Sequence, residues 1–159
     1  MKLNYFFTYQ KQLNERILIN QNLNDYKITA RMHLALQVNI SELANETKCF
    51  VYWDNVTPSI SRDIILEKYI NCLNHIFTIG LDRKYTDIDE IAIERSSLCL
   101  SDQFLNLFVD INDLRTSPSK DHYSTLLEDF FALGLSLGLS LDVIKDTFFN
   151  KDIFEVALS

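Results

Sequence analysis

The run Leu34–Trp53, LALQVNISELANETKCFVYW, decides how the rest of the chain is read. It reads as an amphipathic helix that runs into a short aromatic turn. Its polar residues Asn39, Glu42, Asn45 and Glu46 recur at helical steps, so they share one side of the helix. A second run, Ile64–Leu81 (IILEKYINCLNHIFTIGL), carries a matching polar row at Glu67, Lys68, Asn71 and Asn74. The two rows are expected to face each other, and the chemistry between them to set the function.

Working outward, Tyr26–Glu46 is expected to be one long helix with apolar residues over much of its circumference (Ile28, Met32, Leu34, Leu36, Val38, Ile40, Leu43), which argues for a central position. Upstream, Leu3, Phe6, Phe7, Leu13 and Ile17 form a helical stripe and predict a helix over Leu3–Asn20. Asn22–Asp25 suits a turn with an N-cap. Asp54–Ser61 is a loop broken by Pro58, and Ser61 is a good N-cap for the second polar-row helix. Arg83–Ser97 is a charged connection whose middle, IDEIAIE, reads as helical or extended. Ser101 is expected to cap a helix reaching Leu114, with Phe104, Leu105, Leu107, Phe108, Val109 and Ile111 as core candidates. Ser117–Ser119 is the clearest linker. Helices over His122–Leu137 and Ser140–Leu158 follow, with Gly138 as C′ residue and Ser140 as N-cap. The sum is an all-α helical bundle of five or six helices in one domain, 1–159.

Composition agrees. Only 3 Gly and 2 Pro in 159 residues leave few breaks, and 47% hydrophobic with 23% charged residues is ordinary for a globular domain. The net charge of -7 argues against nonspecific nucleic-acid or anionic-membrane partners. No apolar run is long enough to cross a bilayer, and MKLNYFFTYQKQLNER has no sustained signal-peptide core, so a cytoplasmic location is expected. Cys49, Cys72 and Cys99 form no C-x-x-C pair and read as buried thiols. His33, His75 and His122 have no metal spacing, and no glycine loop exists to cradle phosphate.

VNISELANETKCFVYW resembles the signature of the dimeric all-α dUTPases, within the MazG-like all-α NTP pyrophosphatases, where the run reads V-E-L-G-E-L-A-N-E-x-R-x-F-K-[FY]-W. LEKYINCLNHIFTIGL is similar to the family's next helix, and YQKQLNERI to its first. The resemblance implies a homodimer acting on dUTP, releasing dUMP and pyrophosphate. It also implies four carboxylates, an E-x-x-E and an E-x-x-D, that hold Mg2+. The matching positions here are Asn39, Glu42, Lys68 and Asn71, so Glu42 alone keeps its carboxylate. Val51 replaces the family's lysine and Asn74 its histidine. The tail offers Asp152, Glu155 and Leu158 where the family has phosphate contacts. Gln10 and Trp53, which the family links to the base pocket, persist; with Asn74 they are the nucleotide-binding candidates.

The residues alone give a consistent reading. A lysine ammonium repels a metal ion and can pair with Glu42, with Asn39 and Asn71 hydrogen-bonded beside them. The expectation is therefore a non-catalytic homologue, without cofactor, that binds a nucleotide (dUTP or dUMP) or a protein partner, or that serves as a structural subunit. The alternative is an active Mg2+-dependent pyrophosphatase with a shifted metal site built on Glu42, Glu46 and Glu67.

Overall fold

The computed structural model describes residues 1–54 and 59–150. Among them are six helices: α1 (Asn4–Asn14), α2 (Asp25–Thr47), α3 (Arg62–Asp82), α4 (Leu100–Thr116), α5 (Lys120–Ser136) and α6 (Leu141–Asn150). The architecture is an all-α bundle. α3 lies at its centre, packed on α1, α2, α5 and α6, and α4 pairs with α5 and α2.

Capping sets most boundaries. Asn24, Ser61 and Ser119 each accept a backbone N–H in the first turn of α2, α3 and α5. Behind α5, Gly138 takes φ 79, with Gly138 N–H bonded to Leu135 O and Leu139 N–H to Gly134 O. These two bonds satisfy carbonyls that a helix end leaves open, and the left-handed backbone suits glycine.

Several expectations need correction. The first helix stops at Asn14 rather than Asn20. Beyond it Arg16 and Ile17 make only tight turn bonds to Leu13 and Asn14, and Ile17, Leu18 and Ile19 find no core to enter. Ser101 does not cap α4. Cys99 holds that position without a side-chain cap bond, and Ser101 lies inside the helix. The connection 83–97 holds no helix: it turns at 83–84 and 86–87, and its middle touches the N-terminus through one antiparallel bridge, Lys2 to Glu90. Cys72 is buried, but Cys49 is half-buried and Cys99 exposed, all three as free thiols. The loop breaker Pro58 falls outside the described residues, as does the tail beyond Asn150 with Asp152, Glu155 and Leu158.

The core is strongly aromatic. Phe6 stacks on Phe77 at 5.0 Å between centroids and meets Phe131 edge-on, while Phe148 of α6 closes against both Phe6 and Phe77. Two tyrosines tie α3 to α5 reciprocally. Tyr69 of α3 donates its hydroxyl to Phe130 O (2.9 Å), and Tyr123 of α5 donates to Ile76 O (2.9 Å). In each case the residue four positions after the accepting carbonyl is a glycine, Gly134 or Gly80, against which the phenol lies.

Candidate functional site

The two polar rows meet, as a cleft between α2 and α3. Lys68 Nζ lies 3.6 Å from Glu42 Oε2, with both side chains partly in water. Such a pair contributes little stability, below about 1 kcal/mol. It does place a fixed ammonium beside the one carboxylate that survives at the four signature positions. Asn39 and Asn71 are buried on the two walls. Asn39 stands beside the pair and spends its amide nitrogen within its own helix. Its Nδ2 turns back to Ala35 O (2.8 Å), the carbonyl one turn earlier in its own helix.

These four residues line a cavity of about 630 Å3 together with Arg31, Glu67 and His75. A second cavity, of about 310 Å3, adjoins it and shares Arg31, Ala35, Asn71 and His75. Its remaining walls are Gln10 and Asn14 from α1, Ile17, Ile19 and Leu23 from the α1–α2 connection, Ile28 and Met32 from α2, and Asn74 and Thr78 from α3. It is an apolar chamber with a few convergent amides, the general form of a small-ligand site.

The amides in the smaller chamber are incompletely satisfied. Gln10 is 1% exposed and donates from Nε2 to Asn14 Oδ1 (2.9 Å), which leaves Oε1 buried without a partner. Asn74 is 5% exposed, and neither its Oδ1 nor its Nδ2 has a partner. A buried polar atom without a hydrogen bond costs roughly 1–3 kcal/mol. Three such atoms at one chamber leave a donor and two acceptors for a polar ligand or ordered water to meet.

The structure brings Gln10 and Asn74 together but not Trp53. That indole is half exposed and packs on Tyr52 (5.1 Å) and Phe50 (6.4 Å), outside the lining of both cavities. Glu46 also lies outside both linings, while Glu67 joins Glu42 in the larger one. Among the described residues no three His, Cys, Asp or Glu side chains gather as a metal-ligand set, so Glu42, Glu46 and Glu67 are not assembled into one. Sequence reasoning missed Arg31, which lines both cavities and has no ion-pair partner among the described residues. Its signal was present: Arg31, Ala35, Asn39 and Glu42 share one face of α2, so the polar row extends two turns further back than Asn39. His75, which showed no metal spacing, also lines both cavities.

No helix among the described residues is long and apolar enough to cross a membrane. Compared with curated proteins and with solved structures, the chain finds no match. Its sequence does match the family model described as dUTPase, over residues 2–156. With that match spanning nearly the whole length of an all-α bundle whose α2 carries the ELANE run, the chain belongs to the all-α dUTPase family.

Proposed function

We propose that this dUTPase-family protein binds a nucleotide without a divalent metal and does not hydrolyse it. The observation that carries the reading is the set of buried, unpartnered amide atoms of Gln10 and Asn74 in a chamber that opens at Arg31. Side-by-side donor and acceptor on Asn74 complement a pyrimidine edge that offers an N–H beside a carbonyl, as uracil does. Arg31 sits where the chamber joins the larger cavity, suited to a phosphate. Lys68 supplies there the positive charge that a metal ion would bring, with no ligands required of the protein. A pair of divalent ions fits this donor set poorly, because the ammonium repels cations and two of the four signature positions are neutral amides.

The test is calorimetric titration of dUMP and dUTP with chelator present. Binding is expected to survive chelation, and Asn74→Ala to weaken it about tenfold through the lost base contacts. Pyrophosphate release from dUTP with magnesium, abolished by Glu42→Ala, would establish the active-enzyme reading instead; Glu42 and Glu67 in the same cavity are the observation in its favour. Restoring Asn39→Glu, Lys68→Glu and Asn71→Asp together should create magnesium affinity that the natural protein lacks.

The partner reading rests on an apolar strip beside the cleft. Leu34 and Val38 of α2 are 59% and 48% exposed, and Leu105 and Val109 of α4 are 64% and 58% exposed, with Phe108 between the two helices. Such a strip suits a two-fold contact with a second copy. Light scattering should find a dimer, and Val38→Asp with Leu105→Asp should convert it to a monomer; a natural protein that stays monomeric at high concentration rules this out.

A further inference from the structure

A third cavity, of about 320 Å3, lies on the other flank of α2, closed by the ends of α3 and α4. At about 100° per residue, Tyr26, Thr29 and His33 point away from Arg31 and Ala35, so α2 itself separates this cavity from the cleft. His33 is 1% exposed. Its Nδ1 lies 2.8 Å from Thr29 O, and a carbonyl only accepts, so Nδ1 carries the hydrogen. The neutral ring then presents a bare lone pair at Nε2, which is buried and has no partner. Arg83 Nε is likewise buried without a partner. Arg115, in the last turn of α4, donates to Asn112 Oδ1 (3.2 Å). Neither arginine is ion-paired among the described residues.

Two carboxylates complete the surroundings. Asp82 accepts the Thr29 hydroxyl (2.9 Å), and Asp25, exposed in the first turn of α2, lies on the cavity lining. Burial holds the His33 pKa below its ordinary value. The Thr29 carbonyl and Asp82 act to raise it, and the Arg83 and Arg115 charges to lower it. The groups that seek a ligand are thus two cationic forks, which suit an oxyanion, and one buried lone pair, which needs a hydrogen to accept.

We infer that this cavity is a second binding site, for a phosphate group that arrives with a proton: inorganic phosphate or a small phosphomonoester. Phosphate is the common oxyanion that near neutrality still carries a transferable hydrogen, with a second pKa of about 6 in its esters. It can satisfy both arginines and give its hydrogen, or its proton, to Nε2. Sulfate and acetate offer the charge without the hydrogen.

The experiment is titration of the full chain with inorganic phosphate, phenyl phosphate, sulfate and acetate at constant ionic strength, followed by calorimetry in buffers of different ionisation enthalpy. The expected result is saturable phosphate binding with net proton uptake, tighter at about pH 6 than at about pH 8. Sulfate and acetate should bind at least about tenfold more weakly. Stronger phenyl phosphate than phosphate binding would identify an ester as the ligand class; the reverse would identify the free ion. Arg115→Ala, at an exposed helix end where folding is not at stake, should lower phosphate affinity about tenfold and leave dUMP binding in the cleft unchanged. Arg115→Lys should recover only part of it. No saturable phosphate binding, binding indifferent to Arg115→Ala, or sulfate binding as tight as phosphate would each overturn the inference. Because Arg115 lines only this cavity and Asn74 only the chamber beside the cleft, the separate responses to Arg115→Ala and Asn74→Ala distinguish failure here from failure of the nucleotide reading.

Discussion

Gly80→Ala is expected to destabilise the protein by about 3 kcal/mol, and Gly134→Ala by a similar amount. A Cβ at position 80 would stand 2.6 Å from Tyr123 Cζ and 2.8 Å from Phe7 Cε1. At position 134 it would stand 2.7 Å from Tyr69 Cζ. These neighbours cannot give way cheaply. Both tyrosines are fully buried, and each ring is held by its hydroxyl bond across the α3–α5 interface. Moving a ring therefore adds a lost buried hydrogen bond to overpacking that alone costs about 1–3 kcal/mol. Alanine's better helix propensity returns only about 1 kcal/mol. Urea denaturation measures the difference, and a melting midpoint lower by roughly 6–12 °C should accompany it. Gly138 is the control: nothing lies within 4 Å of a Cβ there, so alanine meets only the strain of φ 79 and should lose less. An alanine at position 80 that raises stability would show that the phenol is not seated as described.

Asp110→Asn is expected to stabilise the protein at and above neutral pH by about 2 kcal/mol, with the gain vanishing in mild acid. Asp110 sits on α4 with Oδ2 buried, beside the Asp129 carboxyl. Burial first, then the neighbouring Asp129 carboxyl, then Asp113, raise its pKa from 3.8 to about 8. The sign follows from linkage. The folded state holds a proton that the unfolded state releases near its ordinary value, so this contribution is complete below about 4 and is lost as pH rises through about 8. Asparagine imitates the protonated acid and can still donate to Asp129, so the variant keeps at high pH what the natural chain loses. Asp110 retains part of its surface in water, which reduces the nominal value of so large a shift to about 2 kcal/mol. Thermal denaturation of both proteins between about pH 5 and pH 8.5 checks it: the two curves should diverge with rising pH. Parallel curves would show that Asp110 and Asp129 do not share a proton.

The legible part of this fold was carried by periodicity and caps. Asn24 and Ser61 begin helices because their short oxygens reach a first-turn N–H, a geometry local enough to read from sequence, whereas Ser119, read as linker, turned out to cap α5 in the same way. The end of α1 was not local. Ile17 continues the stripe of Leu3, Phe6 and Leu13, yet it leaves the helix and forms part of the smaller chamber's wall, so tertiary packing rather than spacing ends the helix. Leu34 and Val38 show the same limit from the other side: they look like core and stand in solvent beside the cleft. Within the site, the Glu42–Lys68 pairing followed from matched helical rows. The chamber of Gln10 and Asn74 needs α1 and α3 brought together across a long stretch of chain, and only the resemblance to a family pointed to it. Arg31 was legible only as a backward extension of the polar row of α2, and the His33 cavity carried no motif at all. Their meaning lies in which charges go unanswered, a property of three dimensions.

Trp53 is the chain's one tryptophan, and half of its surface is already wet. Its emission will start near that of indole in water, so denaturation of the aromatic core will alter the intensity and colour only modestly. Fluorescence excited in the indole band therefore reports on the short turn after α2 and is nearly blind to the interior. Near-ultraviolet circular dichroism, to which the buried phenols of Tyr69 and Tyr123 contribute, is the optical signal that follows the helices as they come apart.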